Sequence, residues 1–170
     1  GAPLKETLSL FASGKEFHFS LTFVEGSRFE DWLKQLSSAP YLERLTVEQS
    51  ETELAQELGI DNGKLEGWFL PETYAYTTHA SDISILRRAY QDMKTFLQEN
   101  WEKRQANLPY KTPYEALIMA SIIEKETGQP VERAQIASVF VNRLRLGMKL
   151  QTDPTVIYGV KDRYDGNIRK

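Results

Sequence analysis

The chain has 170 residues, a formal net charge of −3 and no cysteine. That length suits one domain or two small ones. The acidic balance gives no electrostatic case for nucleic acid, and the missing thiols exclude disulfides, thiol catalysis and cysteine-type zinc sites. The two histidines, His18 and His79, lie far apart without metal-ligand spacing, and no glycine-rich phosphate loop occurs. No apolar run approaches the roughly 20 residues that span a bilayer, and no signal-peptide pattern is present.

In chain order, residues 3–13 carry Leu4, Leu8 and Phe11 at helical spacing and stop at Gly14. From Phe17 to Val24 the chain alternates: Phe17, Phe19, Leu21 and Phe23 face one way, His18, Ser20 and Thr22 the other. That is the pattern of a half-buried strand. Ser27-x-x-Glu30 then predicts a capped helix with Phe29, Trp32, Leu33 and Leu36 on its inner face. A short helix follows over residues 47–58 and ends at Gly59. Trp68, Phe69, Tyr74 and Tyr76 crowd a stretch broken by Pro71. Such aromatics either stack on sugar rings or form core. Ile83, Leu86, Tyr90, Met93, Leu97 and Trp101 make the inner stripe of a long amphipathic helix over 81–104. A soft boundary is expected near residues 38–45.

The next helix is well punctuated. Thr112-Pro113-Tyr114-Glu115 reads as a capping box with proline at the first helical position. Gly128 is the natural stop, and Pro130 blocks continuation. Placing residues at about 100° intervals groups Ile118, Met119, Ile122 and Ile123 into an apolar stripe. Glu126 falls in the middle of that stripe, and Glu124 on the opposite face. Desolvation and the negative end of the helix dipole would both favour a protonated Glu126, as a general acid requires. On the pattern alone the alternative stays open, a buried structural acid bonded to Arg133 or Arg143.

A further helix is predicted over 131–146. Ile136, Val139, Phe140 and Arg143 share one stripe, and Gly147 ends it. Asp153 before Pro154 reads as an N-cap with proline following. Gln151 and Thr152 are polar groups on a loop, within reach of a ligand.

Three blocks in order carry a resemblance: Ala120-Ser121-Ile122-Ile123-Glu124-Lys125-Glu126-Thr127, Ala137-Ser138-Val139-Phe140-Val141-Asn142-Arg143-Leu144, and Leu150-Gln151-Thr152-Asp153-Pro154-Thr155-Val156-Ile157-Tyr158-Gly159. With Glu132-Arg133 between them, and Val24-Glu25-Gly26, Glu66-Gly67-Trp68-Phe69-Leu70-Pro71-Glu72-Thr73-Tyr74 and Leu108-Pro109-Tyr110 upstream, the whole chain resembles the endolytic murein transglycosylase family (MltG, or YceG-like).

The resemblance implies an α+β fold. A small strand-helix unit over residues 1–40, the end of a LysM-like subdomain, would pack on a mostly helical catalytic domain over 41–170. The acid would sit on a helix C-terminal turn. It also implies an enzyme that cuts peptidoglycan glycan strands internally, between MurNAc and GlcNAc, leaving 1,6-anhydroMurNAc ends. By the same resemblance Glu126 is the catalytic acid. Gln151, Thr152, Asn142, Tyr74 and Tyr158 are expected to line the saccharide groove, with Arg133, Arg143 and Asp153 supporting. No metal and no cofactor are expected. The implied partners are glycan strands and peptidoglycan synthases, at the periplasmic face of a bacterial inner membrane. Against the family pattern the chain reads as a soluble extracytoplasmic fragment, truncated at its C-terminal end, of a membrane-anchored parent. Two rival functions stand beside this one: a lysozyme-like hydrolase using Glu126 and Asp153, and a non-catalytic peptidoglycan-binding module. A pyridoxal-phosphate lyase would need a lysine with phosphate-cradling amides, and neither Lys125 nor Lys149 has that setting in the sequence.

Overall fold

The computed structural model describes residues 17–61 and 63–152. Over these residues the fold is α+β, with helices and one two-stranded antiparallel sheet. The helix expected over 3–13 lies outside the described residues. The chain divides into two compact units, one ending at Lys94 and the other starting at Thr95.

In the first unit, β1 (His18–Thr22) pairs with β2 (Thr73–Thr77), Phe19 opposite Tyr76 and Leu21 opposite Tyr74. Side chains alternate across a strand, so Tyr74 and Tyr76 are both buried while Thr73 and Ala75 are exposed. Just past β1, the Phe23 ring stacks on Trp32 with centroids 4.1 Å apart. Trp32 belongs to α1 (Phe29–Ser38), which buries Phe29, Trp32 and Leu36 as its periodicity predicts.

The cap of α1 differs from the expected one. The N-cap is Arg28, without a side-chain bond. Ser27 instead accepts the Trp32 indole N–H at 2.6 Å, and the Glu66 carboxylate accepts the Phe29 N–H at 3.3 Å. A buried indole needs an acceptor, and here that demand claims the serine. After a 3₁₀ turn at Thr46–Glu48 comes α2 (Glu51–Leu58). It has a complete Ser50/Glu53 capping box and ends on Gly59 at φ +75°. In that left-handed region only glycine avoids a steric cost.

The first helical residue of α3 (Asp82–Glu102) is the most heavily bonded acid among the described residues of this unit. Asp82 is 1% exposed. Its carboxylate accepts from the N–H groups of Leu45 (3.0 Å), Thr46 (3.1 Å) and Ile83 (2.8 Å) and from the Thr46 hydroxyl (2.6 Å). A buried charge is tolerable when bonded this fully. It pins residues 43–46 to the start of α3, beside a short bridge between Glu43 and Ser81. Residues 38–45, where a boundary was expected, lie within this unit. The buried stripe of α3 includes Ile83, Ile85, Leu86, Ala89 and Met93.

The second unit contains α4 (Pro113–Glu126) and α5 (Pro130–Arg145). Its buried side chains are few: Met119, Phe140, Thr127 and Thr152 among the described residues. No described helix is long and apolar enough to cross a membrane.

Candidate active site

The start of α4 is set by Thr112, whose hydroxyl accepts the Glu115 N–H at 3.2 Å, with Pro113 at the first helical position. Glu115 reaches one residue further back than a capping box requires and accepts the Lys111 N–H at 2.6 Å. The helix ends at Glu126 because Thr127 turns to extended geometry, at φ −145°. Gly128 stands one residue past the C-cap, where a stop glycine is expected, but without the left-handed φ of a glycine cap. Pro130 opens the following helix, where its missing N–H is no loss.

Two latches hold the corner between α4 and α5. Thr127 accepts the Gln129 N–H at 3.0 Å and donates its hydroxyl to Glu132 at 2.7 Å. Glu124 and Arg133 form an ion pair at 2.9 Å, with both side chains about one-third exposed. Glu132 occupies the third position of α5, the position where a capping-box acid would stand. Only its place after Gln129-Pro130 hinted at that role in the sequence.

Glu126, the last residue of α4, is exposed. The expected burial in an apolar stripe is therefore corrected: Met119 is buried, Ile122 and Ile123 are half-buried and Ile118 is exposed. A terminal helical residue has the helix on one side only, so the stripe ends a turn before it. What meets Glu126 is the hydroxyl of Thr152, which donates to its Oε1. Thr152 is itself 6% exposed. Two residues singled out in separate sequence blocks, 26 positions apart, thus come together.

The loop that delivers Thr152 leaves α5 through a left-handed turn. Gly147 has φ +67°. Its N–H donates to the Leu144 carbonyl at 3.1 Å, and the Met148 N–H to the Arg143 carbonyl at 2.9 Å. This is the Schellman pattern that closes helix C-termini. The Arg143 guanidinium then donates to the Leu150 carbonyl. Gln151, between Leu150 and Thr152, is left-handed at φ +55°. A non-glycine residue there costs about 1–2 kcal/mol relative to ordinary backbone, and such residues gather at functional sites.

The remaining expected site residues are distributed as follows. Asn142 is exposed on α5 and Gln151 is exposed beside Thr152. Arg133 pairs with Glu124, and Arg143 with the Leu150 carbonyl, rather than either with Glu126. Tyr74 lies in the core of the first unit, where its hydroxyl donates to the Leu70 carbonyl at 2.8 Å. Burial pushes its phenol up to about 12, with Asp92 and Glu72 adding to the shift. Asp153 and Tyr158 lie outside the described residues. Chemically, the site offers one exposed carboxyl at a helix end, with one of its two oxygens engaged by the hydroxyl of a buried threonine.

The profile described as the YceG-like family matches residues 1–170. An endolytic murein transglycosylase of Bacillus subtilis is 37% identical over 107 residues, covering 58% of this chain and 28% of that protein. A Streptococcus pneumoniae protein of the same name is 31% identical over 97 residues, covering 56% of this chain and 17% of that one. The matched stretch is thus under a third of either relative's length. A crystal structure of a yceG-like protein from Listeria monocytogenes superposes with TM-score 0.59 at 23% identity, covering 99% of this chain and 60% of that one. That likeness concerns the fold alone.

Proposed function

Because the chain belongs to the YceG-like family, we propose that it is the acid-bearing part of an enzyme that cleaves peptidoglycan glycan strands internally without using water. The observation that supports this reading best is the meeting of Thr152 with Glu126. It joins the Glu-Lys-Glu-Thr and Leu-Gln-Thr-Asp-Pro blocks at one carboxyl, on a part of the chain where Glu126 is open to a ligand.

The chemistry proposed for Glu126 has two steps. As the C1–O bond of MurNAc breaks, Glu126 gives its proton to the departing GlcNAc oxygen. The C6 hydroxyl of the same MurNAc then attacks C1 and gives its proton to the Glu126 carboxylate. Glu126 ends protonated, as it began, and the product carries a 1,6-anhydro ring. No water is consumed, so no second carboxylate is required to activate one, in contrast to ordinary glycosidases. Gln151 and Asn142, both exposed and polar, are proposed to contact the saccharide. The LysM-like origin of residues 1–40, the anchored parent at the periplasmic face and the partnership with peptidoglycan synthases belong to the same proposal.

Digestion of purified sacculi with the full-length protein tests the reading. Glu126→Gln keeps the shape and removes the transferable proton. We expect release of muropeptides by the parent protein and a loss of about 10²–10⁴-fold in the variant, the usual worth of a general acid. A Glu126→Gln protein that still cuts glycan at the parent rate contradicts the assignment. If the parent binds sacculi and releases nothing, the binding-module reading prevails instead.

A further inference from the structure

We propose that Thr152 serves the reaction as a positioning residue, fixing which oxygen of Glu126 faces the substrate, and that Arg143 holds Thr152 in place through the main chain. The inference rests on the reading of Glu126 as the acid. A carboxyl has two oxygens, and a threonine hydroxyl has one hydrogen to donate. That hydrogen goes to Oε1, so the transferable proton is left to Oε2, and the side-chain torsions of Glu126 are fixed by the same bond.

The burial contrast shows on which side Thr152 works. Glu126 is exposed while Thr152 is 6% exposed. A residue so covered is poorly placed to touch a sugar and well placed to brace a neighbour. The brace is built from the helix outward. Gly147 closes α5 in a left-handed turn, the Met148 N–H returns to the Arg143 carbonyl, and the Arg143 guanidinium takes the Leu150 carbonyl. Residue 143 therefore ties the loop at two points before the left-handed Gln151 turns Thr152 toward Glu126. Reacting groups need supports of this kind, because misplacement by about 1 Å costs about 100-fold in rate.

The test uses the full-length protein on a defined glycan strand, with kcat and KM measured separately. Thr152→Val keeps the shape and removes the hydroxyl. It is expected to lower kcat about 100-fold with KM unchanged. Thr152→Ser restores the donor and is expected to return kcat to within about tenfold of the parent. Arg143→Gln leaves Thr152 intact and removes the guanidinium bond to the Leu150 carbonyl, and is expected to lower kcat with KM unchanged, which keeps the test decisive should Thr152→Val not fold. A Thr152→Val protein with raised KM and the parent's kcat would make Thr152 a saccharide contact and overturn the proposal. So would a serine variant as slow as the valine one, or an Arg143→Gln protein with the parent's kcat. Glu126→Gln separates the two readings. If it is inactive while Thr152→Val runs at the parent rate, positioning alone fails. If it is fully active, or if the parent releases no glycan product at all, both fail.

Discussion

Three side chains show how differently polar groups are used in this chain. Glu126 is open at a helix end with one oxygen braced. Asp82 is sealed, and its acceptor capacity is taken up by backbone and a hydroxyl. Removing the carboxylate in Asp82→Ala strands those donors, so we expect a stability loss of about 3 kcal/mol, read as a lower urea midpoint. Unchanged stability would show that residues 43–46 are held by something else. Tyr74 gives a pH signature. Its phenol ordinarily ionises near 10 and is pushed up to about 12 in the fold. The unfolded chain therefore loses this proton first. The stability it contributes is intact below pH 10 and declines as pH rises from 10 toward 12. Tyr74→Phe should lose about 1 kcal/mol at neutral pH from the missing bond to Leu70, and the alkaline decline should be shallower than in the parent. An equally steep decline would place the titration elsewhere.

At the scale of elements, what the sequence made legible was what local rules control. The alternation of Phe17 to Val24 identified β1, and the spacing of Phe29, Trp32 and Leu36 identified α1. Thr112-Pro113 marked the start of α4. Long-range effects were not legible. Strand β2 is five residues, Thr-Tyr-Ala-Tyr-Thr, and its register is set by β1 some 50 residues upstream. Ser27 failed as a cap because Trp32 claimed it, and the vacancy went to Glu66, 37 positions away in sequence. The same limit applies to the site. Glu126 and Thr152 were each identifiable, but their contact depends on the turn after α5. That turn can be tested alone. At Gly147 an added Cβ would meet open space, so only the left-handed backbone resists substitution. Gly147→Ala should cost about 1 kcal/mol, seen in thermal melting, and should slow glycan cleavage by loosening the loop that carries Thr152. A variant destabilised but fully active would mean that the loop holds its place without this turn.

On the scale of the whole molecule, two compact units carry different loads. The first holds an aromatic core in which Phe23, Trp32, Phe29 and Phe69 pack ring against ring. The second holds the candidate acid and leaves Ile118, Val131, Val139, Leu144 and Leu146 exposed. The matched stretch is 28% of the Bacillus relative and 17% of the Streptococcus one, so the activity proposed here is that of the full-length protein. Whether a single glutamate cuts glycan without water is read from mass spectrometry of the glycan ends released by that protein. The expected products end in 1,6-anhydroMurNAc and are one water lighter than hydrolysis products, with release by Glu126→Gln lower by about 10²–10⁴-fold. Reducing MurNAc ends carrying the full mass of added water would contradict this and favour the hydrolase.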